Sequence, residues 1–508
     1  MTLSINLAPL DLASLPTAET NPKKISAFIN SLAHADTFQS ASRLLDVLKT
    51  FNRQKFNSSV RIETLEHYRK ITAELAHDLE EVYATAPVPL SDEAKNYAAL
   101  AEALWLETGY GYKRALVDLK HKLFNLQSDK QHSLVILRII EALKNEALVN
   151  YLTYTPPSDS LWSDLHKVYY HALQLSLENV ELHEQSASSG KTITLMYSQA
   201  LLMHLANPQR LHKSNIKIIS NYIPSLAKYA ELRGMGYVEN PVGAFLIELD
   251  SKKPPVPYLK NKNKPNIETD ILLLTIEVAR QVHQQLRYIQ QNKISPNNPL
   301  PTSALEIVDE ALLMHLIKYF GISASRLFTR VAKKNSVSVA VGLEAASILF
   351  RSAQRANDDI CTQWEMINAS PNGYALETAE THHVSVNVGD LVTVQESPTG
   401  QCVVGHIVWI INKDDLIQIG IKLIAPSAET VAIKSKDKIE LEYALLIPEI
   451  KLLKQPASII TKHNSVGENV SIEVKSTSKK FTLQTCKLIE GSTNFDRLEY
   501  RLIDDDLS

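Results

Sequence analysis

The sequence predicts a multidomain α + β protein in which an N-terminal all-α helical array precedes antiparallel β structure. Three observations support this fold class. The chain has 508 residues, more than a single hydrophobic core usually organises, so we expect two to four domains. Glycine, which is costly inside helices, accounts for only 15 residues, and nine of them lie at or beyond position 321. The spacing of apolar residues changes in the same region, from a period of about 3.6 residues to a period of 2.

The composition excludes several classes of protein. With 44% hydrophobic and 21% charged residues, the chain is typical of globular rather than disordered proteins. The 53 Lys and Arg residues nearly balance the 56 Asp and Glu residues, so no overall field would attract DNA, RNA or an anionic membrane, and an anion would need a local site. No segment has the pattern of a signal peptide or approaches the roughly 18 apolar residues of a membrane span. The three cysteines are scattered and fit neither a zinc site nor a disulfide framework. We therefore expect a cytoplasmic protein without a membrane span or a bound metal.

The first 300 residues have the pattern of amphipathic helices, because apolar residues recur there every three or four positions. The clearest example covers residues 62–82. Asn21 followed by Pro22 is typical of an N-cap and the first position of a helix. No repeat of fixed length is present, so a solenoid is not indicated. We assign residues 1–318 to a helical output or scaffold domain.

The helical pattern is interrupted near the end of this region. Prolines and lysines cluster at 250–265, which predicts a long surface loop. Helices are predicted on both sides of the following gap, at 269–288 and at 305–320. The second of these helices would lead directly into the β region.

Beyond position 320 the pattern becomes that of short strands joined by turns. We predict strands at 337–341, 384–388, 391–395, 402–411 and 416–423. Residues 343–358 read as a helix inserted after the first strand. We therefore assign residues 319–432 to an antiparallel barrel or sandwich. Four further strand-like runs between 457 and 503 are either a second β unit or an extension of the first, and we assign residues 433–508 to a small C-terminal β extension.

Searches for enzymatic motifs give negative results. The segment 189–192, Ser-Gly-Lys-Thr, resembles the end of a phosphate-binding loop, but Gln185 stands where this motif requires its first glycine. His382 and His383 have no carboxylate or cysteine at the spacing of metal ligands. The chain contains no Gly-x-Ser-x-Gly, His-Glu-x-x-His or Gly-x-Gly-x-x-Gly sequence. We therefore predict that the protein is not an enzyme and has no catalytic residues.

Two motifs in the β region carry a recognisable signature. Arg326 and Arg330 lie four positions apart before the first predicted strand, and Asn368, Ser370 and Gly373 follow later in the chain. Together they resemble the PilZ domain, whose signature is Arg-x-x-x-Arg followed by Asp/Asn-x-Ser-x-x-Gly. The later strands of that domain are similar to the segments 389–392, 405–409 and 419–423. The resemblance is confined to the C-terminal β region, at about residues 320–430. It implies a six-stranded antiparallel barrel with cyclic di-GMP as its ligand and no other cofactor.

The chemistry of these residues suits such a ligand. Cyclic di-GMP carries two phosphate charges and two guanines, and an arginine side chain can pair with a phosphate, pair with a guanine edge or stack on a purine. Asn368 and Ser370 would exchange hydrogen bonds with a guanine edge. Gly373 would let the backbone turn sharply or approach the base closely. We therefore predict that the ligand is bound by Arg326, Arg330, Asn368, Ser370 and Gly373.

A second arginine pair matches the same pattern. Arg351 and Arg355 are also four positions apart, but they leave too little chain before Asn368 for a first strand. The earlier pair is therefore the better match, and the long interval that follows it contains the inserted helix. Position 368 is Asn where the family more often has Asp, which keeps a hydrogen-bond acceptor and loses a charge.

These observations predict a cyclic di-GMP receptor whose barrel couples nucleotide binding to a helical region that binds an unknown protein partner. The alternative is a non-enzymatic helical scaffold with a degenerate PilZ-like module that binds proteins. A third reading, an enzyme in the helical region controlled by the barrel, has no motif to support it. Titration with cyclic di-GMP would separate the first two.

Overall fold

The computed structural model describes most of the chain, in sixteen segments. The described segments are 3–11, 17–32, 36–119, 125–183, 190–236, 241–259, 263–291, 309–321, 331–351, 360–379, 384–397, 400–413, 416–435, 442–451, 454–477 and 479–503. The chain divides into two compact units, of which the first contains nearly all residues up to 325. The second unit comprises residues 87–89, 209–212 and 326–508. Within the described segments, every helix is too short or too polar to cross a bilayer.

The first unit is the helical array that the sequence predicts. Its described helices are α1 (Pro22–Leu32), α2 (Thr37–Asn52), α3 (Ser58–Tyr83), α4 (Asp92–Asp118), α5 (Leu126–Leu152), α6 (Asp159–Gln174), α7 (Ile193–Leu205), α8 (Lys213–Leu226), α9 (Ile276–Gln290) and α10 (Glu310–Gly321). Polar side chains begin several of them: Ser91, Ser158 and Thr192 each accept a hydrogen bond from a backbone N–H in the first turn of the helix that follows. The amphipathic pattern at 62–82 lies within α3.

The helical unit also contains a small antiparallel sheet, which the sequence analysis missed. Its strands are β1 (Glu231–Gly234), β2 (Ala244–Ile247), β3 (Val256–Pro257) and β4 (Ile271–Leu274), in the order β1-β4-β2-β3. The helix predicted at 269–288 is therefore wrong at its start, since α9 begins only at Ile276. The predicted loop at 250–265 likewise contains β3. Residues 271–274 are Ile-Leu-Leu-Leu, and a short apolar run of this kind has no period that separates a strand from a helix.

The first β-barrel has six antiparallel strands, as the sequence predicts. Its strands are β6 (Ser336–Val341), β7 (Thr362–Ser370), β8 (Gly373–Thr378), β9 (Leu391–Gln395), β10 (Cys402–Lys413) and β11 (Leu416–Ala425). They are paired in the order β7-β6-β9-β10-β11-β8, and the pairing of β7 with β8 closes the barrel. The two-residue strand β5 (Val331–Ala332) pairs with β7 in addition. The inserted helix is α11 (Leu343–Arg351), and the rest of its predicted range, 352–358, lies outside the described residues.

One predicted strand of this barrel is wrong. Residues 384–388 do not join the ladder, and Val386 makes only an isolated bridge with Val88. Val384, Val386 and Val388 are all buried, with at most 9% of each residue exposed. Alternating valines here indicate burial of a connecting segment, because an extended segment can be buried without pairing along its length.

The described strands between 429 and 503 form a second closed barrel rather than an extension of the first. Its strands are β12 (Glu429–Ser435), β13 (Glu442–Ile447), β14 (Ser458–Lys462), β15 (Ser471–Lys475), β16 (Lys480–Gly491) and β17 (Phe495–Ile503). They are paired in the order β12-β13-β14-β17-β16-β15, and β12 pairs with β15 to close the barrel. The four strand-like runs predicted between 457 and 503 are β14 to β17. The domain boundaries expected at 318 and 432 stay predictions.

A hydrophobic cluster with residues from both barrels joins them, beside the second barrel's own core. The cluster contains Leu391 and Val404 from the first barrel, Leu445 and Phe495 from the second, and Ala346 from α11. All five residues are almost fully buried. The Thr430 hydroxyl, at the start of the second barrel, donates a hydrogen bond to a backbone carbonyl of α11 at 3.1 Å. The second unit is therefore two barrels held together by apolar contacts around one short helix.

Candidate functional site

The second predicted motif lies on one hairpin of the first barrel. Asn368 and Ser370 end strand β7, and Gly373 begins strand β8 after a two-residue turn. Ser370 and Gly373 are paired across the hairpin, and the Ser370 hydroxyl donates to the Gly373 carbonyl at 3.2 Å. The spacing of the motif is thus the spacing of a tight hairpin, which brings its three residues together.

A β-bulge turns these side chains to the outer face of the barrel. Leu376 of β8 and Ile419 of β11 are paired and fully buried, which marks the inner face. The register shifts between Met366 and Asn368, so one extra residue interrupts the alternation along β7. Asn368 therefore pairs with an outward residue of β8, although Met366, two positions earlier, points inward. Among the described residues, the Asn368 amide has no hydrogen-bond partner within the protein, so it is free to bind a ligand.

Gly373 is explained by packing between strands. A Cβ at this position would overlap the carbonyl oxygen of Ile421 on the neighbouring strand β11. The close approach of β8 to β11 therefore requires glycine at this position. The sequence analysis expected a sharp turn or the approach of a base, and the contact with Ile421 is a sufficient reason without either.

The chain enters the barrel beside the same hairpin. Val331 of β5 is paired with Ala369, and Ala332 is paired with Asn368. Arg326 and Arg330 lie outside the described residues, but Arg330 is the residue before Val331 in the sequence. The register of β5 therefore places the chain that follows the arginine motif directly against the Asn-x-Ser motif.

One arginine of the competing pair, Arg351, is engaged elsewhere. Arg351 is the last residue of α11, and its guanidinium lies over the ring of Tyr443 on β13, with 4.0 Å from Cζ to the ring centroid. Its Nε donates to the Ser347 carbonyl at 3.3 Å. Arg355 lies outside the described residues. These contacts give Arg351 a role in joining α11 to the second barrel.

The outer face next to Asn368 contains small residues and a flat aromatic ring. Asn368, Ala375, Gly420 and Trp409 form one row across four neighbouring strands. The Trp409 indole is half-buried and lies over Gly420, where an added Cβ would overlap the ring nitrogen. Ala375 and Gly420 are themselves buried, so the Trp409 ring covers the centre of this row.

Three polar side chains form a hydrogen-bonded group near the hairpin. The Tyr374 hydroxyl donates to Glu396 Oε1 at 3.0 Å, and the Lys333 ammonium donates to Glu396 Oε2 at 2.6 Å. The hydrogen bond from Lys333 holds the pKa of Glu396 below its ordinary value. Burial, together with the neighbouring carboxylate, raises the pKa of Tyr374 to about 12. Glu396 is therefore ionised and fixes Lys333 near the point where the chain enters the barrel. The sequence analysis missed all three residues.

A second row of the outer face meets the second barrel. Ser370, Gly373, Lys422 and His406 occupy this row on four neighbouring strands. The Lys422 ammonium lies 2.8 Å from Glu490 Oε1 of the second barrel, and His406 Nε2 lies 3.4 Å from the same oxygen. Burial lowers the pKa of His406, although the Glu490 carboxylate opposes this shift. For Glu490, burial would raise the pKa, but His406 and Lys422 outweigh it and the pKa is lowered. The sequence could not have predicted this contact, since residues 422 and 490 belong to different barrels.

The described residues contain one group of side chains with the spacing of metal ligands. His77, Glu80 and Glu81 lie on one face of α3 with their ligand atoms within 4.8 Å of one another. The Lys217 ammonium already contacts both carboxylates, at 3.2 and 2.6 Å. One ammonium therefore already offsets part of the negative charge of the two carboxylates. The predicted pair His382 and His383 lies outside the described residues.

Comparison with known proteins identifies the class of protein that this fold and site define. Models of three consecutive domains of the Cyclic-di-GMP receptor FimW match the chain: the N-terminal domain at residues 23–236, the middle PilZ domain at 244–357 and 349–430, and the C-terminal beta-barrel domain at 429–503. The second unit thus contains a PilZ barrel followed by the barrel that accompanies it in this class of receptors.

The chain belongs to the FimW family of cyclic-di-GMP receptors. It is 21% identical over 578 aligned positions to the Cyclic-di-GMP receptor FimW of Pseudomonas aeruginosa, and the alignment covers 98% of this chain and 93% of that protein. The likeness expected from the sequence was confined to the C-terminal β region. The matches extend it to the helical region and to the second barrel.

Proposed function

We propose that this protein is a cyclic di-GMP receptor that binds the nucleotide on the outer face of its first barrel. The observation that carries the proposal is the placement of Asn368 and Ser370, which the β7 bulge turns outward beside the strand that follows Arg330. Membership of the FimW family supports the choice of ligand. In this proposal Arg326 and Arg330 pair with phosphate or guanine, while Asn368 and Ser370 read a guanine edge.

Nucleotide binding would be coupled to the helical region through the segment that joins the two units. Arg326 and Arg330 lie between α10 and β5 in the sequence. A ligand that contacts both motifs would therefore contact this segment as well as the barrel. The helical region can respond only to the extent that the ligand prefers one arrangement of the segment. We propose that the helical region passes this change to a protein partner.

A second candidate function is a helical scaffold with a barrel that no longer binds nucleotide. Two observations favour it. The Ser370 hydroxyl is already used in a hydrogen bond to Gly373, and Gly373 is explained by its contact with Ile421. In that case the motif would be kept for the hairpin alone, and the protein would act through protein contacts.

Isothermal titration calorimetry on the full-length chain separates the two candidates. We expect saturable binding of cyclic di-GMP, with GTP and cyclic GMP binding far more weakly because each offers only part of the two-guanine ligand. Absence of cyclic di-GMP binding by a folded chain would overturn the receptor proposal and favour the scaffold. Arg351→Ala is the matched control, since its guanidinium contacts Tyr443 rather than the hairpin.

The remaining expectations concern what the receptor does not need. We propose that it acts without catalysis, without a metal and without a cofactor besides its nucleotide ligand, and that it works in the cytoplasm without binding DNA or RNA. Support comes from the near balance of 53 basic and 56 acidic residues and from the lack of enzymatic motifs. Nucleotide recovered unchanged after prolonged incubation with the protein would agree with the first of these expectations. Conversion of the nucleotide would contradict it.

A further inference from the structure

The outer face of the first barrel offers a cation that no motif includes. Along β11, Ile417, Ile419 and Ile421 are buried, so the residues between them point outward. Lys422 is the next outward residue, and 56% of its side chain is exposed. It lies directly opposite Gly373, the last residue of the hairpin motif.

Lys422 and Ser370 lie on either side of Gly373, which leaves a gap between their side chains. Ser370, Gly373 and Lys422 are in register on three neighbouring strands, so the outer two are about 10 Å apart at their backbones. Gly373, between them, has no side chain to fill the space. The register is held at the turn, where the Leu423 N–H donates to the Asn372 carbonyl at 3.0 Å. A ligand that lies over Gly373 would therefore have a hydroxyl on one side and an ammonium on the other.

The second barrel forms the border of this gap. Glu490 on β16 is mostly buried, and its carboxylate holds the Lys422 ammonium at 2.8 Å. Arg497 is a second cation that acts on Glu490, and it is fixed by hydrogen bonds to Ser458 at 2.9 Å and to Gln455 at 3.3 Å. Lys422 is exposed and flexible, so it is the member of the group that can turn toward a ligand.

We propose that Lys422 is a further phosphate-binding residue of the nucleotide site, and that Glu490 of the second barrel competes with the phosphate for it. The inference rests on the proposed function, because it assigns a contact within the same site. A lysine ammonium binds phosphate as a point charge, and a carboxylate beside it repels a ligand that carries two negative charges. The second barrel would thus set the affinity of the first.

The test is calorimetric titration of cyclic di-GMP into the full-length chain and four variants. Lys422→Met should weaken binding about tenfold or more, since a charge-assisted hydrogen bond is lost. Lys422→Arg should bind within about threefold of the parent, because it keeps the charge. Glu490→Gln should tighten binding a few-fold by freeing Lys422. Lys413→Met is the matched control and should bind as the parent does, because Lys413 ends β10 and pairs with Leu416, at the opposite end of β11 from Lys422. The effect of Lys422→Met should shrink at high salt, where exposed charges are screened.

The outcomes separate this inference from the proposed function. If the parent binds cyclic di-GMP and Lys422→Met binds equally well, Lys422 is not a ligand contact and the inference is wrong. If Glu490→Gln weakens binding or leaves it unchanged, the competition is wrong. If the parent itself does not bind, the proposed function fails instead. Thermal unfolding of each variant checks the fold, and Lys422→Arg gives a readout even if Lys422→Met does not fold.

Discussion

The two barrels have the same number of strands but use their hairpin side chains differently. In the β16–β17 hairpin the Ser492 hydroxyl accepts two backbone N–H groups at 3.1 Å, and Asn494 donates to Asp390. Asp496 accepts the Asn464 N–H at 2.7 Å. In the β7–β8 hairpin, Asn368 has no such partner among the described residues. In the β16–β17 hairpin the polar side chains make hydrogen bonds within the protein. In the β7–β8 hairpin the Asn368 side chain makes none among the described residues and lies on the outer face.

Because the two barrels have the same number of strands, the difference between their side chains indicates which barrel binds a ligand. A closed six-stranded barrel does not by itself specify a ligand, because function depends on side chains placed on the fold. The side chains that matter are those that the barrel does not need for its own stability. The first barrel has them at Asn368 and Lys422, and the second barrel contributes mainly through Glu490, at the border between the two.

Replacement of a hairpin glycine should give the largest contrast between the barrels. In Gly373→Ala the new Cβ overlaps the Ile421 carbonyl oxygen, so β8 must shift. We expect a loss of about 1–3 kcal/mol in the free energy of unfolding and at least tenfold weaker cyclic di-GMP binding. In the control Gly467→Ala, the added Cβ lies 3.7 Å from Val470 and should change neither quantity. Denaturant unfolding and calorimetry measure the two effects. Parent-like stability of Gly373→Ala would contradict the packing explanation.

Removal of the arginines should weaken binding without unfolding the protein. Arg326→Ala and Arg330→Ala should each cost about 1.5–3 kcal/mol of binding free energy, which is the loss of one charge-assisted hydrogen bond. Arg351→Ala should instead lower the stability of the second unit by about 0.5–1 kcal/mol, because it removes the contact with Tyr443. Calorimetry and thermal unfolding on all three variants check this division. Strong loss of binding in Arg351→Ala alone would move the site to the other arginine pair.

Truncation of the hairpin polar groups should have the smallest effect and the sharpest control. Asn368→Ala and Ser370→Ala should each weaken binding by about 1 kcal/mol, which is one neutral hydrogen bond to a guanine edge. Ser492→Ala in the second barrel should lower stability by a similar amount and leave affinity unchanged, because its hydroxyl serves the backbone. If Asn368→Ala, Ser370→Ala and Ser492→Ala all bound cyclic di-GMP with the same affinity, the proposed difference between the two hairpins would be wrong.

The sequence predicted the hairpin residues because they are close together in the chain. Asn368, Ser370 and Gly373 fall within six positions, and a tight turn between two strands joins them. The outward direction of Asn368 was not predictable, because it depends on a bulge that only the pairing with β8 defines. Lys422 was missed for a related reason, since strand pairing alone brings it opposite Gly373.

The errors in the fold also have a physical origin. The run at 271–274 and the valines at 384–388 are apolar and buried. Burial is common to helices, strands and connecting segments, so an apolar run does not by itself distinguish between them. The closure of the second barrel depends on the pairing of β12 with β15, whose residues are far apart in the chain. Period and turn signals describe local structure, so they predicted four strands of this barrel, β14 to β17, missed β12 and β13, and left its closure open.

Hydrogen exchange on the full-length chain, with and without cyclic di-GMP, tests the central claim most directly, because it locates the bound nucleotide. The account predicts slower exchange at residues 315–335 and 362–378, which include the arginine segment and the β7–β8 hairpin. Smaller changes should follow in the helices of the first unit if the joining segment couples the two. Residues 492–495 of the second hairpin should remain unchanged. Protection of the second hairpin without protection of the first would contradict the account.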